Sequence, residues 1–198
     1  MSDNEFRSGF VCLVGRPNAG KSTLTNRIIG RKIAITSDRP QTTRRTVRGV
    51  LTRSDAQLIV VDTPGLHKPR TLLGERLNDL VRATWTEVDV IGFCLAANEE
   101  TGPGDRKLAA ELASIQRGPI IAVITKTDTA SPDEVAARLA SISELAAEVG
   151  LKVSEYVPVS AVTGDNVDVL VDLMIAQMPE GPQLFPEAQD TDEPEEAM

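Results

Sequence analysis

Eight residues, Gly15-Arg16-Pro17-Asn18-Ala19-Gly20-Lys21-Ser22, restrict this chain to a narrow set of folds. They match the pattern G-x-x-x-x-G-K-[ST], which works only between a strand and a helix. Both neighbours are present. The apolar run Phe10-Val11-Cys12-Leu13-Val14 reads as a buried strand, and residues 22–29 read as a helix. Glycines let backbone N–H groups close around phosphate oxygens. The helix N-terminus adds its partial positive charge. The expected phosphate cradle comprises Asn18, Ala19, Gly20, Lys21, Ser22 and Thr23, with Lys21 reaching the β- and γ-phosphates and the Ser22 hydroxyl ligating Mg²⁺.

Bulk properties set the frame. At 198 residues the chain is long enough for one substantial core. Its formal net charge is −8, but residues 179–198 hold seven acidic and no basic side chains. The acidity therefore describes a tail rather than a binding face, and it neither demands nor excludes nucleic acid. Cys12 and Cys94 lie in separate apolar runs and read as reduced packing residues of a cytoplasmic protein. The N-terminus lacks the basic and apolar regions of a signal peptide, and no apolar run approaches the length of a membrane span.

Strand-like and helix-like segments alternate, which implies an α/β fold with a largely parallel sheet. Strands are expected at 10–14, 46–52, 57–61, 88–95, 120–124 and 156–159, and helices at 21–29, 73–86, 105–114, 132–149 and 167–178. The fourth helix has the clearest ends. Ser131 caps it, Pro132 suits its first position, Glu134 completes a capping box and Gly150 follows as a C-cap. The expected organisation is a tail over 1–7, a nucleotide-binding domain over 8–178, and an acidic linker over 179–198 that should be mobile unless bound.

Four further segments carry chemistry. Asp62-Thr63-Pro64-Gly65 follows an apolar strand, about forty residues after the phosphate loop. There Asp62 is placed to hold Mg²⁺, and the Gly65 N–H meets a γ-phosphate directly. Alone, this tetrapeptide would be a plain turn; its place in the order gives it meaning. Thr125-Lys126-Thr127-Asp128 follows another strand. The Asp128 carboxylate accepts from N1–H and the 2-amino group of guanine, donors that adenine lacks, and the Lys126 stem lies over the base. Ser160-Ala161-Val162 follows the last strand, where the Ala161 N–H meets guanine O6. Gln41-Thr42-Thr43-Arg44 lies in a connection that can fold over the third phosphate. Thr43, or Thr42 beside it, would complete the Mg²⁺ shell only while that phosphate is present.

The five loops, in this order, are those of a guanine-nucleotide-binding domain. The stretch 15–22, the Gln-Thr-Thr-Arg segment, Asp-Thr-Pro-Gly-Leu-His over 62–67 and Pro-Glu-Gly-Pro over 179–182 resemble the Era-type GTPase family. The resemblance covers residues 8 to about 186. It implies a P-loop NTPase three-layer sandwich, a mostly parallel six-stranded sheet with helices on both faces. It also implies hydrolysis of GTP to GDP in a switch serving 30S ribosomal subunit assembly and 16S rRNA maturation. A monomer is expected. The chain departs from the family in two ways. Thr125 stands where the base-reading motif usually has Asn. The sequence also shows no RNA-binding KH domain and no GXXG clamp after residue 182, so RNA binding by this chain should be weakened or lost. Peripheral membrane association belongs to the resemblance alone.

Catalysis in such a domain is positioning plus charge stabilisation, in which Lys21, Thr43 and Gly65 take part. Leu66 stands where many small GTPases have a water-orienting Gln. Similarity to GTPases with an apolar residue there implies a K⁺ ion held with help from Asn18; the alternative is that Asn18 only shapes the loop. Unassisted turnover should be on the order of 10⁻⁴–10⁻² s⁻¹. His67, the single histidine, reads as a partner contact or an exposed residue. The basic residues Arg39, Arg44, Arg45, Arg48, Arg53, Lys68 and Arg70 read mainly as a solvated face, with ribosomal RNA as the other reading. The competing functional readings are the GTPase domain of a related ribosome-assembly or tRNA-modifying enzyme, and a nucleotide-gated binding module with negligible turnover. Asp128 argues against an ATPase or small-molecule kinase.

Overall fold

A computed structural model describes residues 5–30, 46–62 and 72–186. Six strands form one sheet: β1 (Arg7–Val14), β2 (Thr46–Thr52), β3 (Ala56–Asp62), β4 (Val90–Ala96), β5 (Ile120–Thr125) and β6 (Val153–Pro158). Their spatial order is β2-β3-β1-β4-β5-β6. All neighbouring pairs are parallel except β2 with β3. The helices are α1 (Lys21–Ile29), α2 (Leu72–Glu87), α3 (Pro103–Ile115), α4 (Pro132–Val149) and α5 (Val167–Ala176).

Alternation along the central strands builds two cores. Val11 and Leu13 of β1, with Leu58 and Val60 of β3, pack among residues of α1 and α5. Cys12 and Val14, with Ile59 and Val61, pack on the opposite face among residues of α2, α3 and α4. Strands covered on both sides in this way read as continuous apolar runs, because period-two alternation then separates two cores rather than core from water. The result is the expected three-layer sandwich. Cys12 and Cys94 are free and buried, also as expected.

The helix ends follow their capping chemistry. α4 spans the expected residues; Ser131 Oγ accepts from Glu134 N at 3.2 Å, and Gly150 closes the helix in the left-handed region at φ 74°. Only this half of the expected capping box forms there. The carboxylate-to-backbone bond appears instead at α3, where Asp105 Oδ2 accepts from Gly102 N at 3.1 Å. No helix among the described residues is long and apolar enough to cross a membrane.

Several boundaries differ from those expected. β1 begins at Arg7, three residues early and inside the span read as an N-terminal tail. β6 begins at Val153, three residues earlier than expected, on the edge of the sheet where Ser154 and Glu155 face water. Residues 179–186, read as the start of an acidic linker, contact the domain. Gly181 N donates to Phe6 O at 2.9 Å, Ser8 Oγ donates to Pro182 O at 2.7 Å, and Phe185 packs against the core. The clamp is Gln57 on β3, which has no solvent exposure. Its Oε1 accepts from Leu184 N and Phe185 N, both at 2.9 Å, and its Nε2 donates to Phe185 O at 2.8 Å. Residues 1–4 and 187–198 lie outside the described residues.

Candidate nucleotide-binding site

The sheet order changes direction at β1, which has β3 on one side and β4 on the other. In open α/β sheets a crevice opens beyond the carboxyl ends of the strands at such a point. The loop over 15–20 leaves β1 there and runs into α1. Its shape depends on backbone that few side chains tolerate. Gly20 takes φ 86°. A Cβ on Gly15 would lie 2.6 Å from the Cys94 carbonyl oxygen, a rigid backbone atom. Asn18 also adopts a left-handed conformation, φ 67°, which Asn accepts more readily than most residues. Ala19 N donates to Arg16 O at 3.1 Å and tightens the turn.

Lys21 is half-buried at the head of α1, with its Nζ donating to Gly15 O at 2.6 Å. Burial pushes its ammonium below the usual lysine range, while Asp62 acts in the opposite sense. A cation so desolvated beside open N–H groups suits a multiply charged anion. Ser22 and Thr23 are exposed in the first turn of α1, where no acidic side chain stands to compete with phosphate. A cavity of about 380 Å³ is lined by Lys21, Ser22, Arg48 and Asp62, among others. Among the described residues the cavity lining supplies one carboxylate, Asp62, and two hydroxyls, Ser22 and Thr25, of which Thr25 Oγ1 donates to Lys21 O at 2.9 Å. That sparse donor set fits Mg²⁺, which usually keeps waters and substrate phosphates in its shell and needs few protein ligands.

The base-reading segment is tied to the phosphate loop. Thr125 is buried, and its Oγ1 donates to Ala19 O at 2.6 Å. Lys126, with φ 59°, donates from Nζ to Asn18 O at 2.6 Å. A single turn of 3₁₀ helix (Thr127–Thr129) follows and leaves Asp128 exposed. Its Oδ1 accepts from Ser160 Oγ at 2.8 Å, and that same hydroxyl oxygen accepts from Thr163 N at 3.1 Å. Ser160 is buried while Ala161 and Val162 lie progressively more exposed. Thus Asn18, Ala19, Thr125, Lys126, Asp128 and Ser160 form one hydrogen-bonded group drawn from three loops.

An ion-paired group of two acids, Glu99 and Asp105, and two arginines, Arg16 and Arg138, lies behind the phosphate loop and was not foreseen from the sequence. Arg16 Nη1 lies 3.7 Å from Glu99 and 3.8 Å from Asp105. Asp105 is buried and lies 3.5 Å from the equally buried Arg138, whose Nε donates to Ala96 O at 3.1 Å and whose Nη1 donates to Thr101 Oγ1 at 2.6 Å. Asp62 likewise has a partner the sequence reading did not give it: Arg48 Nη2 at 2.8 Å. Arg53 pairs with Asp172 at 2.6 Å. Of the basic residues noted in the sequence, Arg48 and Arg53 are therefore ion-paired. Arg39, Arg44, Arg45, Lys68 and Arg70 lie outside the described residues, together with Thr42, Thr43, Gly65, Leu66 and His67.

Residues 10–126 match the family model described as 50S ribosome-binding GTPase. GTPase Era of Streptomyces coelicolor is 62% identical over 192 residues, which cover 97% of this chain and 61% of that protein. GTPase Era of Mycobacterium avium is 57% identical over 195 residues, covering 98% of this chain and 64% of that one. The chain thus spans about three-fifths of the length of these curated relatives. Among solved structures, Era in complex with MgGDPNP and nucleotides 1506–1542 of 16S ribosomal RNA superposes with a TM-score of 0.74 at 37% identity, covering 93% of this chain and 61% of that one. An Aquifex aeolicus Era variant bound to GDP·AlF4⁻ gives the same TM-score at 36% identity and the same coverage.

Proposed function

The chain belongs to the family of 50S ribosome-binding GTPases, and from this we propose that it binds GTP across the phosphate loop and the 125–128 segment and hydrolyses it to GDP and phosphate. The two nucleotide states would then act as a switch in assembly of the small ribosomal subunit. The observation that supports the reading is the hydrogen bond from Thr125 Oγ1 to Ala19 O, which ties the segment carrying Asp128 to the loop over 15–20. The ribosomal half rests on the Era relatives, one of which was crystallised with a piece of 16S rRNA.

In this mechanism, N–H groups of residues 18–23 and the Lys21 ammonium hold the β- and γ-phosphates. Ser22 and Asp62 would hold a magnesium ion, which when bound supplies charge that offsets the charge building up on the phosphate oxygens. Thr43 would complete that ion's shell, and the Gly65 N–H would donate to the γ-phosphate. Asp128 accepts from guanine N1–H and the 2-amino group, the Ala161 N–H donates to O6, and the Lys126 stem covers the base. Leu66 follows Gly65 where many small GTPases have a water-orienting Gln, and we assign the charge stabilisation that an arginine finger supplies elsewhere to a K⁺ ion that Asn18 would help to hold. The left-handed backbone of Asn18 also suits a purely loop-shaping role.

Hydrolysis of GTP and ATP in matched KCl and NaCl buffers tests the reading. GTP-specific turnover accelerated by K⁺ is expected. Equal rates in the two salts would remove the potassium site and keep the GTPase. Equal use of ATP would remove the account of base choice. GTP binding with no turnover in either salt would instead favour a nucleotide-gated binding module.

A further inference from the structure

Arg48 occupies a place that the proposed reaction does not use. The β2–β3 ladder runs Thr46↔Asp62 and Val47↔Val61, then resumes at Gly49↔Val60. Arg48 is therefore the extra residue of a β-bulge, a device that re-aims a side chain out of the regular alternation. Gly49 is buried beside it, and a Cβ there would lie 2.2 Å from Ile29 Cδ1. β2 is thus held close against α1 at the bulge. The guanidinium so directed lines the same cavity as Lys21 and Ser22, with Nη2 at 2.8 Å from Asp62 Oδ2.

We propose that Arg48 is a resident counter-ion of Asp62, competing with Mg²⁺ for that carboxylate and so setting the Mg²⁺ concentration at which guanine nucleotide is retained. The inference rests on the reading of Asp62 as a magnesium ligand. Arg48 takes one oxygen of the Asp62 carboxylate and carries a charge that repels a divalent cation, so each weakens the other's hold on that carboxylate. Both side chains are partly exposed, which keeps the pair weak enough for a divalent ion to break.

The test titrates free Mg²⁺ against binding of a fluorescent GDP by the 198-residue chain and by Arg48→Ala, Arg48→Lys, Asp62→Asn and the Arg48→Ala/Asp62→Asn double variant. The Arg48→Ala midpoint should fall to a Mg²⁺ concentration about two- to sixfold lower. Arg48→Lys should keep most of the wild-type midpoint, and Arg48→Ala should add no shift in the Asp62→Asn background. A midpoint unmoved by Arg48→Ala but moved by Asp62→Asn would overturn the counter-ion role and leave the metal reading standing. A midpoint unmoved by Asp62→Asn would overturn both. A higher midpoint for Arg48→Ala, with weaker GDP binding in EDTA, would make Arg48 a phosphate ligand and also overturn the proposal.

Discussion

The Thr125 hydroxyl donates to the Ala19 carbonyl at 2.6 Å, joining the end of β5 to the turn that opens α1 across 106 residues of sequence. A position where the family usually has Asn therefore still supplies a donor to the phosphate loop. Thr125→Val keeps the shape and removes the donor, leaving a buried carbonyl unpaired. It should cost about 1–3 kcal/mol of stability, measured by urea unfolding, and should weaken GDP binding. Thr125→Asn should recover GDP affinity. Full GDP affinity in Thr125→Val would show that the two loops are held by other contacts.

Asp128 accepts a hydrogen bond from Ser160 Oγ at 2.8 Å and is exposed. Asp128→Asn replaces an acceptor with an amide that suits the C2 oxygen of xanthine. Binding should shift from GTP towards XTP, with discrimination changing by about tenfold or more, the effect of about 1.4 kcal/mol or more. Competition of the two nucleotides against fluorescent GDP measures it, and an unchanged preference would remove Asp128 from base recognition.

Both cysteines are buried, which pushes the Cys94 thiol up to about 12 and the Cys12 thiol higher still. They stay protonated in the folded chain, whereas unfolded thiols ionise near their ordinary value. Above about pH 9 the unfolded state binds fewer protons, so stability must fall with rising pH, by up to about 1.4 kcal/mol per pH unit for each thiol. Lys21, held below its ordinary range, contributes with the opposite sign up to its unfolded value. Comparing urea unfolding of the chain and of a Cys12→Ala variant from pH 8 to 10 leaves the Lys21 contribution common to both, because Cys94, which acts on Lys21, is kept. The variant should lose less stability across that range; parallel slopes would contradict the burial of the Cys12 thiol.

Gln57 uses both ends of its amide to hold residues 184 and 185, and Nε2 also donates to Thr52 Oγ1 at 3.1 Å. Gln57→Ala strands these backbone groups and should cost about 1–3 kcal/mol. Limited proteolysis should then cut at residues 183–186 well before the rest of the described domain. A variant as resistant as the parent would mean that Phe185 packing alone secures the segment.

Residues whose role is local were legible in the sequence, and residues whose role depends on distant pairing were not. Ser131, Pro132 and Gly150 mark both ends of α4, so its span follows from capping chemistry alone. The glycines of 15–20 and the apolar strand before them place the phosphate loop. Gln57 is polar within a strand pattern; its complete burial depends on a segment 127 and 128 residues later in the chain. Arg48 leaves the regular alternation because of the β2–β3 register, which composition does not encode. Arg138 and Asp105 look like surface residues of two amphipathic helices until α3 and α4 pack together and bury them. The early start of β6 is hidden because Ser154 and Glu155 carry no apolar signal.

β3 has opposite duties at its two ends. Asp62 stands at its carboxyl end beside the nucleotide crevice, and Gln57 stands near its amino end, about 16 Å away along an extended strand. Whatever is joined beyond residue 186 therefore starts from the far end of the sheet. A chain anchored to a solid support through that end would present its phosphate cradle to the solution, and nucleotide could exchange there without passing the anchor.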